Sequence, residues 1–159
     1  MPTGQGRNHA AAGTDGERFW ILGGRGVGSG DGNWVANGFE DVQVYDPATN
    51  TWSASFDTGS TLAPLPNGRG GTGKAVWYKG ELYVFGGETL TGSGAVAGNV
   101  FARVDAYDPV LNTWRTEKLM PTPRHGVFPV LHEGKIWIGG GGVVAGFSAS
   151  DAFEIFSRQ

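Results

Sequence analysis

Three arginines stand at matching places in the chain, Arg7, Arg69 and Arg124, each a few residues ahead of a short apolar stretch. A guanidinium presents a rigid, planar fork of donors that holds a carboxylate through two parallel hydrogen bonds. A ring of arginines around a concavity would therefore suit acidic peptides or small carboxylates. The same repetition fits a second role, in which each arginine hydrogen-bonds carbonyls of its own unit and staples it together. Arg25 and Glu88 directly follow two Gly-Gly pairs, and Asn33, Trp34, Asn37 and Asn99 stand in the long polar loops beyond them. Trp34 is the candidate exposed aromatic anchor for a partner, and it equally fits folding back onto its own loop.

Other chemical signals fail on context. Residues Gly68 to Lys74 satisfy both a dinucleotide and a phosphate-loop spacing, but each needs a helix immediately after the loop to offer free amides to phosphate. Here Ala75-Val76-Trp77-Tyr78 follows, a strand, and Ala75 stands where a hydroxyl should meet magnesium. Asp31-Gly32-Asn33 opens like a calcium loop, but Val35 and Val42 hold later ligand positions. His9, His125 and His132 lack a partner at helical spacing and read as turn or surface residues. No metal and no cofactor is implied.

Composition narrows the class. The 159 residues include 29 glycines, more than twice ordinary usage, without the strict triplet period of collagen, so the excess belongs to turns and bulges. With 39% hydrophobic and 17% charged residues the chain can bury a core. A formal net charge of −3 provides no basic field for nucleic acid or an anionic membrane. Zero cysteines exclude disulfides, thiolate metal sites and a cysteine nucleophile. No apolar run reaches membrane-spanning length and the N-terminus lacks a signal-peptide core, which leaves the compartment open between a cytosolic protein and a mature or excised form.

The elements that must position these residues are repeats. Tyr45-Asp46-Pro47 recurs as Tyr107-Asp108-Pro109, and Asn50-Thr51-Trp52 as Asn112-Thr113-Trp114, both 62 residues on. Gly23-Gly24, Gly86-Gly87 and Gly139-Gly140 each close an apolar run, and Phe153-Glu154-Ile155-Phe156 is a shorter third copy of the Tyr-Asp-Pro strand. Within a unit a short apolar stretch, a turn such as Lys79-Gly80, and the run into Gly-Gly make a hairpin. A long loop follows, 25–39 or 88–99. An alternating third strand, an Asp-Pro turn and a tryptophan-bearing fourth strand complete the unit. No apolar pattern keeps a 3.6-residue period, so helix should be nearly absent.

Together, an arginine ahead of the first strand, a hydrophobic run into Gly-Gly, a Tyr-Asp-Pro strand and a following Asn-Thr-Trp resemble the kelch repeat, over residues 7 to 156. The resemblance implies an all-β propeller of four-stranded antiparallel blades whose first strands line a central channel. Blade limits near 7–66, 67–121 and 122–159 follow, the last without its fourth strand. Trp52, Trp114, Tyr45 and Tyr107 are the expected filling between blades, and the Gly-Gly pairs would let blades approach closely. Kelch domains of ubiquitin-ligase adaptors grip acidic peptides with arginines ahead of the first strand and just after Gly-Gly. The resemblance carries that role to Arg7, Arg69, Arg124 and Arg25, with Glu88 departing from it. Kelch propellers also resemble the scaffold of galactose oxidase, whose copper site needs a cysteine, and of sialic-acid mutarotases, in which Glu88 near Arg69 or Arg124 would be the acid/base pair. The expected function is a binding module for a protein, a peptide or a small acidic or sugar ligand; the alternatives are part of a carbohydrate enzyme or an oligomer-forming blade array.

Closure of a propeller takes typically about four to eight blades, so three cannot close alone. Met1-Pro2-Thr3 matches Met120-Pro121-Thr122, which places the chain out of phase with whole blades. Two accounts follow: a stretch of a larger propeller, or two chains associating head to tail as a six-bladed ring.

Overall fold

The computed structural model describes residues 7–26, 37–91 and 97–158, and among them the regular structure is β throughout, with no helix. The first unit holds β1 (Arg7–Asn8), β2 (Ala11–Thr14), β3 (Phe19–Leu22), β4 (Arg25–Gly26), β5 (Asn37–Gly38), β6 (Val42–Asp46) and β7 (Thr51–Ala54). The second holds β8 (Val76–Tyr78), β9 (Glu81–Phe85), β10 (Glu88–Thr91), β11 (Ala97–Val100), β12 (Val104–Asp108) and β13 (Thr113–Thr116). The third holds β14 (Val130–His132), β15 (Lys135–Gly139) and β16 (Phe153–Phe156). These form antiparallel sheets in the orders β2-β3-β6-β7, β8-β9-β12-β13 and β14-β15-β16. The sheets are propeller blades, and they converge along their first strands: β2 touches β8, and β8 touches β14.

The repeated motifs form because each residue closes a local bond. Asp46 and Asp108 accept backbone N–H bonds from two and three residues on (2.8 to 3.3 Å), which caps the turn after the third strand. Asn50 and Asn112 take the left-handed conformation at φ near +54°, and each receives the hydroxyl of Tyr45 or Tyr107 at 2.9 and 2.8 Å. The tyrosine ring lies against the tryptophan across the pair, at 5.1 Å for Tyr45 and Trp52 and 5.0 Å for Tyr107 and Trp114. The turn at Lys79-Gly80 has both residues at positive φ, the geometry that matches the twist of a two-residue hairpin.

The core lies between blades. Trp20, Leu22 and Val42 of the first blade pack on Leu82, Val84 and Tyr107 of the second; Tyr83, Phe85, Val104 and Ala106 of the second pack on Val127, Ile136 and Ile138 of the third. Each fully buried aliphatic side chain contributes about 1.5–3 kcal/mol. Trp114 fills this layer together with Tyr107, whereas their counterparts Trp52 and Tyr45 lie half-buried on the open face of the first blade. The opposite open face, on the third blade, exposes Val130, Phe153 and Ile155.

Two expectations are corrected. The third Gly pair in register is Gly140-Gly141: Gly23, Gly86 and Gly140 share φ of 57–68°, and their N–H groups bond the carbonyls of Asp41, Arg103 and Ala152, each the residue just before its third strand. Gly139 lies inside β15. The long loops are also not wholly irregular. Their stems pair as β10 with β11 and as β4 with β5, and β1 joins the latter as a third strand.

Candidate functional site: the loop face

The three repeated arginines sit at one end of the blades, and each forks into its own blade. Arg69 donates to the Gly86 carbonyl at 2.6 Å, the Asn67 carbonyl at 2.9 Å and Asp105 Oδ2 at 2.8 Å, with both charged side chains at 0% exposure. Arg124 donates to the Gly140 and Ala152 carbonyls at 2.7 and 2.9 Å and to Glu154 at 2.9 Å. Arg7 donates to the Gly23 carbonyl at 3.0 Å and to Asp41. The acid comes from the same third-strand position in blades two and three, Asp105 and Glu154, which pair with Val84 and Ile138. In the first blade that position is Gln43, paired with Ile21, and the acid moves two residues back to Asp41, which also accepts from Gln43 Nε2 at 3.2 Å.

Burial raises the Asp105 carboxyl, but the hydrogen bonds from Arg103 and the charge of Arg69 outweigh it and hold the group below the usual carboxylate range. Burial lowers Arg69, against the opposing pull of Asp105. The carbonyl oxygens of Arg69 and Arg124 also serve the preceding blade: Gly24 N–H bonds the Arg69 carbonyl at 2.8 Å and Gly87 N–H the Arg124 carbonyl at 2.9 Å. A Cβ at Gly86 would sit 2.0 Å from the Arg124 carbonyl, which is why that position is glycine.

A second row of charge runs across the blades. Arg25 passes over Gly70, where a Cβ would meet its Cγ at 2.2 Å, and donates to Glu88 Oε1 at 2.6 Å. Its other nitrogen reaches His9 Nδ1, which accepts and so leaves the His9 proton on Nε2. Glu88 Oε2 accepts from Gly146 N at 2.8 Å, while His125 Nδ1 lies 3.4 Å from Oε1 and Nε2 is 3.0 Å from the Val144 carbonyl. Burial, then the charge of Arg25, lowers the His9 pKa. His9 holds φ +53°, whereas the equivalent Gly71 and Gly126 have φ near +65°.

This row fixes the loop that follows β15. Gly142 and His125 exchange two backbone bonds of 2.9 Å. Ser148 Oγ both accepts from Val144 N and donates to its carbonyl, at 3.0 and 2.7 Å. Ala145 is buried against Leu90, with Val100 beside them. At the tip Phe147 is 98% exposed, and Val143 and Val144 are exposed beside it.

Of the expected site residues, the face brings together Arg25 and Glu88, both buried, and adds His9 and His125. Glu88 pairs with Arg25 rather than with Arg69 or Arg124. Arg7, Arg69 and Arg124 lie beneath, their terminal guanidinium nitrogens engaged within their blades, although Nε of Arg7 and of Arg124 is buried without a partner among the described residues. Asn33 and Trp34 lie outside the described residues, and Asn99 is exposed in β11 opposite Thr89. The turn-or-surface reading fits His9 and His132, which are exposed, but not His125, which is buried against Glu88; aligned on the arginines, His9 falls where the other units carry glycine, and His125 directly follows Arg124. Phe147 followed a Gly-rich run and matched no repeat position. Among the described residues no group of three His, Cys, Asp or Glu is placed to hold a metal.

No family model matches the sequence. Over 150 residues the chain is 31% identical to Kelch-like protein terF of Aspergillus terreus (strain NIH 2624 / FGSC A1156), covering 94% of this chain and 29% of that protein. It is 30% identical to alpha-scruin of Limulus polyphemus over 125 residues, covering 79% of this chain and 12% of alpha-scruin. The solved structure of YjhT matches with a TM-score of 0.61 and 26% identity, covering 85% of this chain and 34% of that one. The chain thus spans about a third or less of the length of these relatives.

Proposed function

Because the chain belongs to the kelch-repeat family, whose members are generally protein-interaction modules, we propose that it binds a protein partner across its loop face, with Phe147 as the apolar anchor. The observation that carries this reading is the braced loop. An exposed phenylalanine on a loop already held by Glu88, His125, Ser148 and Ala145 loses little freedom on binding, and large side chains presented this way dominate interface energetics. An acidic ligand held by Arg7, Arg69, Arg124 and Arg25 is served less well, since their forks already face carbonyls and carboxylates inside the protein. An acid/base role for Glu88 is likewise less favoured: it is 2% exposed and both its oxygens are engaged.

The test is to pan a displayed random-peptide library against the chain. Enriched sequences should be apolar or aromatic and lose binding to Phe147→Ser while keeping it to Lys79→Ala, on a hairpin turn away from the loop. Acidic sequences lost to Arg25→Ala but indifferent to Phe147→Ser would overturn the reading in favour of carboxylate recognition. The open faces of blades one and three carry a related proposal, that further kelch blades cover them. Light scattering would give a stable dimer if a second copy supplies those blades; a monomer or irregular aggregate would assign them to a longer propeller.

A further inference from the structure

Away from the loop face, a groove of about 560 Å³ lies where the blades converge. Its lining comes from the first two strands of the first blade, residues 74–77 leading into and along β8, and Leu131 of β14, with nothing from the third or fourth strands. Thr14, Trp77 and Leu131 are equivalent residues of successive blades: each follows the residue paired with Trp20, Tyr83 or Trp137. The groove therefore lies along the channel side of the arc. Phe19, Ile21 and Leu131 make its walls apolar, and Trp77, packed against the core layer between blades one and two, makes one wall flat and fixed.

Two polar groups enter it. Lys74 is exposed and has no hydrogen bond or ion pair among the described residues. Its backbone is held on both sides, by Ala12 N–H on the Gly73 carbonyl at 3.3 Å and Ala75 N–H on the Ala12 carbonyl at 2.9 Å. Thr14 Oγ1 accepts from Gly16 N at 3.0 Å, which leaves its O–H proton free to donate. One cation and one hydroxyl donor at the edge of an aromatic slot complement a carboxylate joined to a flat apolar body. The volume falls in the range of small-ligand sites.

The geometry points to a binding site for an aryl-alkyl carboxylate in this groove, with Trp77 against the ring and Lys74 and Thr14 at the carboxylate. That chemistry comes either from a free acid or from the carboxyl-terminal aromatic residue of a peptide. Calorimetric titration of the intact chain with 3-(indol-3-yl)propionate, and with the tripeptide Gly-Gly-Phe as free acid and as amide, tests the site and separates the sources. Binding should weaken about tenfold in Lys74→Ala, the effect of losing one charge-assisted contact, and should vanish in Leu131→Glu, which puts a carboxylate into the groove. Both positions are exposed, so thermal midpoints should stay within about 2 °C. The alcohol analogue should bind about tenfold more weakly than the acid. A peptide acid that binds where its amide does not identifies a chain terminus as the source; binding of the indole acid alone identifies a free acid. No binding of either acid at millimolar concentration, or equal binding by Lys74→Ala, overturns the proposal.

Discussion

Two rows of charge cross the loop face, and they behave differently. The inner row keeps one residue type, Arg7, Arg69 and Arg124, and each member pairs within its own blade. The outer row changes type, Arg25, Glu88 and Gly142, and pairs from blade to blade, Arg25 to Glu88 and Glu88 to the loop behind Gly142. A residue repeated in every unit answers a need that every unit has; a residue that changes sign from unit to unit answers its neighbour. Repetition therefore marks the staples, and variation marks the places where blades are matched to one another.

The largest effect expected from breaking this comparison is in the inner row. Arg69→Ala removes one of the two guanidinium groups on buried Asp105, which keeps Arg103 and Thr116, and strips the Gly86 and Asn67 carbonyls of their donor, a loss of about 3 kcal/mol that should lower the thermal midpoint by about 10 °C. Arg7→Ala should cost clearly less, because Asp41 lies nearer the surface and solvent replaces part of the pairing. Equal losses at the two sites, measured by calorimetry, would dissolve the ranking. In the outer row, a double-mutant cycle of Arg25→Met and Glu88→Gln in urea should give a coupling of about 1–3 kcal/mol, while the same cycle between Arg25 and Asp105 should be additive.

Acid titration sharpens the contrast further. The folded Asp105 carboxyl ionises below its unfolded value, so its contribution is full above about pH 4 and is lost as pH falls through the folded value. Asp105→Asn should flatten that acid limb of the stability curve. His9 is also lowered, so its neutral form favours the fold above about pH 6.5, and stability falls as acidification protonates the acceptor that Arg25 uses. Being exposed, it should give the smallest effect, seen as a shallow slope below pH 6.5 that His9→Gln removes.

The strands, the Asp-Pro turns and the stacking of blades were legible because each rests on short-range pairs: Asp46 caps amides two and three residues away, and Tyr45 meets Asn50 and Trp52 across one turn. The third Gly pair was misread by one residue because Gly139 to Gly142 are four consecutive glycines, and only the carbonyl each N–H finds sets the register. The direction in which the arginines point was beyond local reading. Both roles need an arginine at the same place, and the choice depends on acids 34, 36 and 30 residues away. Phe147 was missed because exposure has no periodic signature.

The braced loop after β15 separates what holds the fold from what faces outward. Ala145 and Gly146 fasten it, one by burial and one by its amide, while the adjacent Phe147 touches almost nothing. Substitution at 147 is thus nearly free of folding consequence, so this exposed position can drift by single residues through evolution while the blade beneath stays unchanged. The same position gives a laboratory a place to write a new binding preference onto an otherwise untouched chain.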